Sequence, residues 1–536
     1  MVIAITPPAL LLATSTTDQL MRSLFDDTFN GVHHLELFDW ALLIPYFAIL
    51  IVLSFYGCHR FEMIRKYLKH RRDAKPDPDR WAQLPRVTIQ LPLYNERYVV
   101  ERLIEEACKM EYPRELLQIQ VLDDSTDDTH PFTEALVREY QAAGVPIEYL
   151  HRDNRAGFKA GALQEGMKSA TGELIAIFDA DFIPPRDFLA RTVHQFTDPG
   201  IGVVQTRWSY LNRHFNLLTE VEAMLLDGHF VIEHGARFGS GLFFNFNGTA
   251  GVLRAKMIQD AGGWQHDTLT EDSDLSYRAQ LKGWRFVYLP AVDCPSELPV
   301  DTYGFQVQQS RWAKGLTQVA IKLLPRILRS KEPWRVKLEA FCHLTPNISY
   351  PLMLAMSALM LPVMIVRFYM GVFQMLTVDL PLIIASFCSI WAFYLMAQRE
   401  LDRRNWKRAI VLMPALMAAG IALTLINTKA VIEALLGIKS AFARTPKYAV
   451  GDRKVIIQNA SYRRRSGWLP YAELAVGGYF AYMVAYAIET WNFLAVPFLL
   501  LFVVGYWWAG CTTLYQEYQG KVQWQRERAL ALETEP

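Results

Sequence analysis

The sequence predicts an α/β domain, its sheet mixed but mostly parallel, inserted between helical transmembrane segments. Three observations predict it. Short apolar strands alternate with helical stretches through residues 86–300, as in a parallel sheet covered on both faces. Segments of about 20 apolar residues, the length a bilayer core demands, precede this region once and follow it several times. Acidic residues stand directly after two of the strands, where open α/β sheets bind their ligands.

Length and charge bound the rest. At 536 residues the chain can hold one large soluble domain and a membrane region. A formal net charge of +1 gives no electrostatic case for a nucleic-acid partner. The six cysteines, Cys58, Cys108, Cys294, Cys342, Cys388 and Cys511, show neither disulfide nor metal spacing, which fits a reduced, cytosol-facing domain. The N-terminus lacks the basic start, apolar core and small-residue cleavage site of a signal peptide.

Taken in order, residues 1–37 form an N-terminal segment and 38–57 the first span. Arg60, Arg65, Lys66, Lys69, Arg71 and Arg72 follow that span whereas only Arg22 precedes it, so the N-terminus is expected outside and the chain beyond it in the cytosol. A basic linker, 58–85, leads into the α/β domain, 86–300. Strands are expected at 87–91, 117–122, 147–150, 174–178 and 284–289, and a helix at 96–110. Residues 301–340 read as interfacial amphipathic helices, one covering 306–324 and stopped by Pro325.

The membrane region is 341–514, with spans expected at 343–366, 379–397, 468–490 and 493–513, and a cytosolic tail at 515–536. The apolar stretch 409–426 lies between two basic flanks. Arg399, Arg403, Arg404, Lys407 and Arg408 precede it, and Lys429, Lys439, Arg444, Lys447, Arg453 and Lys454 follow. Both flanks should be cytosolic, which one full crossing cannot satisfy. Residues 409–437 are therefore expected at the interface or only partly inserted, giving five spans; six would break the charge rule at one loop.

Candidate chemistry sits on four motifs. Asp123 and Asp124 end an apolar strand and can accept hydrogen bonds from a base or ribose, although Asp, Ser and Thr also make ordinary turns. Asp179-Ala180-Asp181 ends another, and its alternating carboxylates point the same way. Together they can hold a hard divalent cation, Mg2+ or Mn2+, on a diphosphate. Lys159, among small residues at a helix start, suits a phosphate or simply solvent. The stretch 270–312 opens with Thr270-Glu271-Asp272 and closes with Gln308-Gln309-Ser310-Arg311-Trp312. Asp272 is the candidate base for deprotonating an acceptor hydroxyl, with Glu271 supporting it. Arg311 and Gln308 would hold the diphosphate, and Trp312 would stack on a sugar ring or anchor its helix at the membrane.

These residues resemble the processive glycosyltransferases of family 2, which include cellulose, chitin and hyaluronan synthases. The likeness is strongest to the cellulose-synthase-like A and C proteins and their bacterial relatives. It rests on Gln90-Leu91-Pro92-Leu93-Tyr94-Asn95-Glu96, the Asp123 to Asp127 run, Lys159-Ala160-Gly161-Ala162-Leu163, 178–182, Phe246-Asn247-Gly248-Thr249-Ala250-Gly251, 270–272 and 308–312. The resemblance implies a GT-A type nucleotide-sugar transferase fold. It implies nucleotide contacts from Tyr94, Glu96, Asp123, Asp124 and Lys159, metal contacts from Asp179 and Asp181, and Asp272 as the catalytic base. Gln308, Arg311, Trp312 and Glu271 would serve the diphosphate and acceptor terminus, with Phe246, Asn247, Gly248 and Thr249 lining the acceptor site. Segment 438–450 resembles the gating loop of cellulose synthases through Phe442, Arg444, Thr445 and Lys447, with Arg444 where those enzymes carry an apolar residue. The tail is too short for a cyclic-dinucleotide-binding barrel.

The reading is then an inverting, processive transferase that polymerises a hexose and passes the product through the bilayer. UDP-glucose is the first expected donor and GDP-mannose the second. The growing polysaccharide and the lipid bilayer are the other partners, with export partners beyond a bacterial inner membrane. A non-processive transferase with a lipid acceptor and a catalytically silent channel subunit are the rivals.

Overall fold

The structure is a computed structural model that describes residues 35–73, 77–368, 381–382, 384–439, 447, 449 and 467–534. Seven strands form one mixed sheet in the order β3-β2-β1-β4-β6-β5-β7. They are β1 Val87–Leu93, β2 Leu117–Asp123, β3 Ile147–His151, β4 Leu174–Ile177, β5 Ile201–Tyr210, β6 Gly251–Arg254 and β7 Arg285–Ser296. β6 pairs antiparallel with β4 and β5; every other pairing is parallel. The expected strands are present. β5 and β6 were not anticipated.

Alternation along β1 and β2 decides what each face does. Val87, Ile89 and Leu91, with Ile119 and Val121, are essentially fully buried in one core, and each such burial contributes about 1.5–3 kcal/mol. On the opposite face Thr88 donates to Gln118 at 2.8 Å and Gln90 donates to Gln120 at 3.0 Å. The glutamines are buried too, so this cross-strand ladder satisfies groups that would otherwise be costly. The parallel register aligns Leu93 with Asp123 and Asp123 with His151. Motifs that follow these strands therefore meet at one edge of the sheet.

The helix expected at 306–324 runs from Thr302 to Arg329 with Pro325 inside it. Proline here removes one backbone hydrogen bond. Leu323 and Ile327, both fully buried against Tyr277, Ala340 and Leu344, hold the helix together across it. Gly315 explains how this helix approaches the domain: a Cβ there would meet the Thr270 backbone nitrogen at 2.9 Å. Gly315→Ala should displace the helix from the Thr270 loop and lower turnover by about 100-fold, the effect of a misplacement near 1 Å, while leaving nucleotide binding measurable by calorimetry.

Among the described residues three helices are long and apolar enough to cross a bilayer: Leu37–His70, Pro346–Arg367 and Val496–Gln519. Helix Leu469–Glu489 covers the expected span 468–490, and the 13-residue helix Ser389–Leu401 covers only the end of the expected span 379–397; neither is among those three. The stretch 409–437 forms two helices, Arg408–Ala422 and Thr424–Leu435, bent by 41° at their junction. Taken as one unit they would make a fourth candidate. Both ends of the pair are tied by ion pairs to segments outside the candidate spans. Arg408 reaches Glu220 at 2.6 Å, and Glu433 receives Lys314, on the Thr302–Arg329 helix, at 2.6 Å.

Candidate active site

A cavity opens at the carboxyl ends of β1, β2 and β4. Its wall is built by Tyr94, Glu96, Asp124, Arg155 and Lys159 on one side and Asp179, Asp181, Asn247 and Gly248 beneath. Glu271, Asp272, Gln308, Arg311, Trp312 and Lys447 complete it. Motifs more than 200 residues apart in the chain thus converge, because strand ends and two helix starts share one edge.

Asp124 is nearly buried and held by a two-pronged contact from Arg152, at 2.7 and 2.5 Å. Arg155 lays its guanidinium over the Tyr94 ring, 3.3 Å from the centroid, a cation–π geometry. Neither arginine was singled out from the sequence, although both lie in the run leading to Lys159. The signal was weak because a charged loop residue is usually solvated.

Adjacent Asp123 points elsewhere. It is fully buried, accepts the Tyr149 hydroxyl at 2.6 Å and the Ser125 amide at 2.9 Å, and does not line the cavity. Successive side chains on a strand face opposite ways, so only one of the pair can serve the pocket. Asp123 instead groups with His130 and His151, behind that wall.

The end of the cavity at Asp179 and Asp181 carries balanced charge. Lys159 pairs with Asp179 at 2.5 Å and donates to the Gly248 carbonyl at 3.0 Å. Burial works against its charge, but Asp179 and Glu271 hold the ammonium above the usual lysine range. Asp181 and Glu96 receive Lys447 at 2.6 and 3.2 Å. Burial opposes that charge as well, and Asp181 and Glu96 outweigh it, raising Lys447. Oxygen-only carboxylate donors whose charge is met by ammonium groups are the kind of set that suits a hard divalent cation. Phe442, Arg444 and Thr445 lie outside the described residues.

Asp272 and Glu271 occupy the first turn of helix Glu271–Gln280. Burial, then the Glu271 carboxylate, pushes the Asp272 pKa up to about 7, against Lys159 and the Ser273 amide. Burial likewise raises Glu271. Arg311 is drawn down by burial while Glu271, Asp179, Asp272 and Asp181 act to keep it charged. Gly248, at φ +80°, lies so near Asp272 that a Cβ would stand 3.0 Å from its Oδ2; both backbone conformation and contact demand glycine there.

The remaining residues of the 246–249 run divide by role. Asn247 and Gly248 line the cavity. Phe246 is buried in the core with Phe244 and Leu253, and Thr249 is buried, its hydroxyl accepting the Asp179 amide at 2.9 Å. These two support the wall rather than form it.

A mixed sheet with an acidic, cation-balanced cavity at its carboxyl edge is the architecture of a GT-A-like transferase domain. Residues 85–315 match the profile described as "Glycosyltransferase like family 2". The chain is 44% identical over 256 residues to probable glucomannan 4-beta-mannosyltransferase 9 of Oryza sativa subsp. japonica, covering 47% of this chain and 49% of the relative. Glucomannan 4-beta-mannosyltransferase 2 of Arabidopsis thaliana is 42% identical over 256 residues, covering 47% and 48%. The chain spans about half the length of the curated relatives it matches. A solved mannosyltransferase of Pyrobaculum calidifontis, in complex with GDP-Man and Mn2+, aligns over 74% of this chain and 97% of that one, at 22% identity and a TM-score of 0.47. The named plant relatives are mannosyltransferases, so the expected preference for UDP-glucose finds no support among them, nor does a bacterial membrane.

Proposed function

We propose that this protein is an inverting β-mannosyltransferase that extends a β-1,4-linked mannan or glucomannan from GDP-mannose and delivers the chain into the bilayer. The observation that carries the chemistry is Asp272, a buried carboxylate poised near neutrality against Gly248 and opposite Arg311. Mannose as the sugar is supported by the names of the relatives. UDP-glucose becomes the second choice.

In this reading Tyr94, Arg155 and Asp124 hold the nucleotide, with Arg152 fixing Asp124. Asp179 and Asp181 would hold the divalent cation, which when bound neutralises charge on the departing diphosphate. Arg311 and Lys159 supply fixed positive charge on the same group. Asp272 takes the proton from the acceptor hydroxyl as that oxygen attacks the anomeric carbon. Lys447 sits on Asp181 and Glu96, so its ammonium must give up Asp181 for a cation to bind there.

Delivery is supported by polar atoms among apolar helices. The Thr428 and Thr513 hydroxyls, the second carboxylate oxygen of Glu473 and the Gln516 carbonyl are buried without hydrogen-bond partners among the described residues. Polar side chains inside a bilayer normally face a partner or a water-filled path, and a hydroxyl-rich polymer would satisfy them. Glu473 also accepts from Gln306 at 2.8 Å, linking these helices to the one that carries Gln308 and Arg311. Five crossings, with Arg408–Leu435 at the cytosolic interface, fit the ties of Arg408 and Glu433 to the domain.

The test is purified full-length protein in lipid nanodiscs, given Mg2+ or Mn2+ and either GDP-mannose or UDP-glucose. Nucleotide release with a mannanase-sensitive product from GDP-mannose alone is expected. A product made only from UDP-glucose would overturn the sugar assignment, and none from either donor would overturn the enzyme reading.

A further inference from the structure

Behind the cavity wall, three elements bring three candidate metal ligands together. Asp123 ends β2 and His151 ends β3, and the parallel register sets them side by side. His130 is near the start of helix Thr129–Ala142, which follows the turn after β2. The ligand atoms of Asp123, His130 and His151 all lie within 4.8 Å of one another. The two imidazole rings stand 4.0 Å apart between centroids, tilted by 31°, and His130 Nδ1 lies 3.7 Å from Asp123 Oδ2. On the solvent side, Asp153 stands 3.8 Å from His151 Nε2.

Asp123 is fully buried, yet among the described residues no lysine or arginine comes within ion-pair distance of it; its ion-pair contact is His130. Nearby buried carboxylates fare otherwise: Asp124 is gripped by Arg152, and Asp274 by Arg278. Buried charges are ordinarily paired or bound to metal. The Tyr149 hydroxyl, 2.6 Å from both Asp123 Oδ2 and His130 Nδ1, touches two of the three candidate ligands. Such outer contacts orient metal ligands. Both histidine side chains reach solvent, at 36% and 26% exposure, so an ion has a path in and the rings have room to turn. Two ligands of one tetrahedral zinc stand about 3.4 Å apart, so a combined shift of about 1.5 Å closes the widest gap. No tautomer is assumed, because a neutral imidazole offers one lone pair whichever nitrogen holds the proton.

We propose that Asp123, His130 and His151 bind one transition-metal ion of the zinc class, at a site separate from the carboxylates Asp179 and Asp181. The donor set decides the class. Two imidazole nitrogens and one carboxylate oxygen suit zinc and its neighbours, whereas magnesium and calcium take oxygen ligands. Three protein ligands leave a fourth position open on the solvent side, for water or for Asp153. The ion locks the ends of β2 and β3 to the start of helix Thr129–Ala142. Asp124 and Arg152 are the next residues along from Asp123 and His151, so the same ion braces from behind the clamp that these two residues form. The proposal does not depend on the identity of the sugar or on the transferase reading.

The test uses untagged full-length protein in nanodiscs, stripped with chelator and kept in excess Mg2+ to fill all-oxygen sites. Zinc binding is followed by equilibrium dialysis with elemental analysis, and thermal melting is recorded beside it. Wild type is expected to hold one zinc per chain and to melt higher with zinc, since an ion bound by the fold alone stabilises it. Losing even an outer contact of a metal ligand costs about 10- to 100-fold in affinity, so His130→Ala and His151→Ala should each lose at least that much. His214→Ala, which removes an exposed histidine elsewhere, should bind as wild type. A further variant gains a signal instead of losing one. His151→Cys loaded with cobalt should show a thiolate-to-metal absorption band that wild type lacks, because cysteine is itself a ligand for such metals. Wild type that retains no zinc overturns the proposal. So does zinc affinity unchanged in the two alanine variants, an equal loss in His214→Ala, or a cysteine variant without the band.

Discussion

Asp272→Asn should lower transfer by about 10²–10⁴-fold, the range for removing a general base, with nucleotide binding retained. The substitution keeps shape and volume and removes only the ability to take a proton. Wild-type turnover should rise with pH through about 7, where Asp272 titrates, and fall about tenfold per unit below pH 6. The group must be deprotonated to act, so acid, not alkali, silences it. A rate–pH profile on nanodisc-embedded protein measures this. A flat profile between pH 5.5 and 8, or an active asparagine variant, would assign the proton to another group.

The same residue makes a stability prediction of opposite sense. Asp272 is raised from an ordinary value of 3.8 to about 7 by burial and by Glu271. Its charged form is therefore the unfavourable one in the folded protein. Stability linked to it is fully present below pH 4 and is lost as pH rises through 7. Asp272→Asn should consequently melt higher than wild type at pH 8, and the difference should vanish near pH 4. An active-site carboxylate that destabilises its own fold is the usual cost of function.

Much of the site was legible because it rests on local pattern. β1 to β4 are short apolar runs that end at polar residues, and such runs place their last side chains at the ligand edge. The Asp179-Ala180-Asp181 triplet was found on those grounds and the Glu271-Asp272 pair by its place at a helix start, and all five residues line the cavity. β5 was hidden because its outer half, Arg207-Trp208-Ser209-Tyr210, mixes charge and aromatic residues and pairs with β7. β6, four residues long, carries too little pattern to register. The Asp123-Asp124 pair shows a limit of another kind: alternation guarantees that one residue turns inward, but which one depends on the partners Tyr149 and Arg152. Pro325 misled because a rule about isolated helices ignores the two buried side chains that flank it. Arg155 lies over Tyr94, far away in sequence, and no local pattern encodes such a meeting.

Arg237→Met is expected to destabilise the folded protein by about 3–5 kcal/mol. Arg237 is 1% exposed and lies between Glu233 and Glu339. Both carboxylates hold it charged despite burial, and it in turn helps hold both of them ionised. Glu339 also receives His59 at 3.0 Å and Lys66 at 3.6 Å, from the helix Leu37–His70 that leads out of the first span. One guanidinium thus joins that helix, the helix Trp334–Leu344 and the π-helical turn Gly228–His234. Methionine can fill the space but leaves the buried Glu339 carboxylate and the partly buried Glu233 carboxylate without the guanidinium between them. Adding Glu233→Gln and Glu339→Gln to Arg237→Met should recover most of the loss, because a neutral amide needs no counter-charge. Denaturant midpoints in micelles would measure both steps. A loss below about 1 kcal/mol in the single variant would mean that water reaches this network, for that is the range of solvent-screened pairs. A loss that the added glutamines do not relieve would place the cost in packing rather than in unpaired charge.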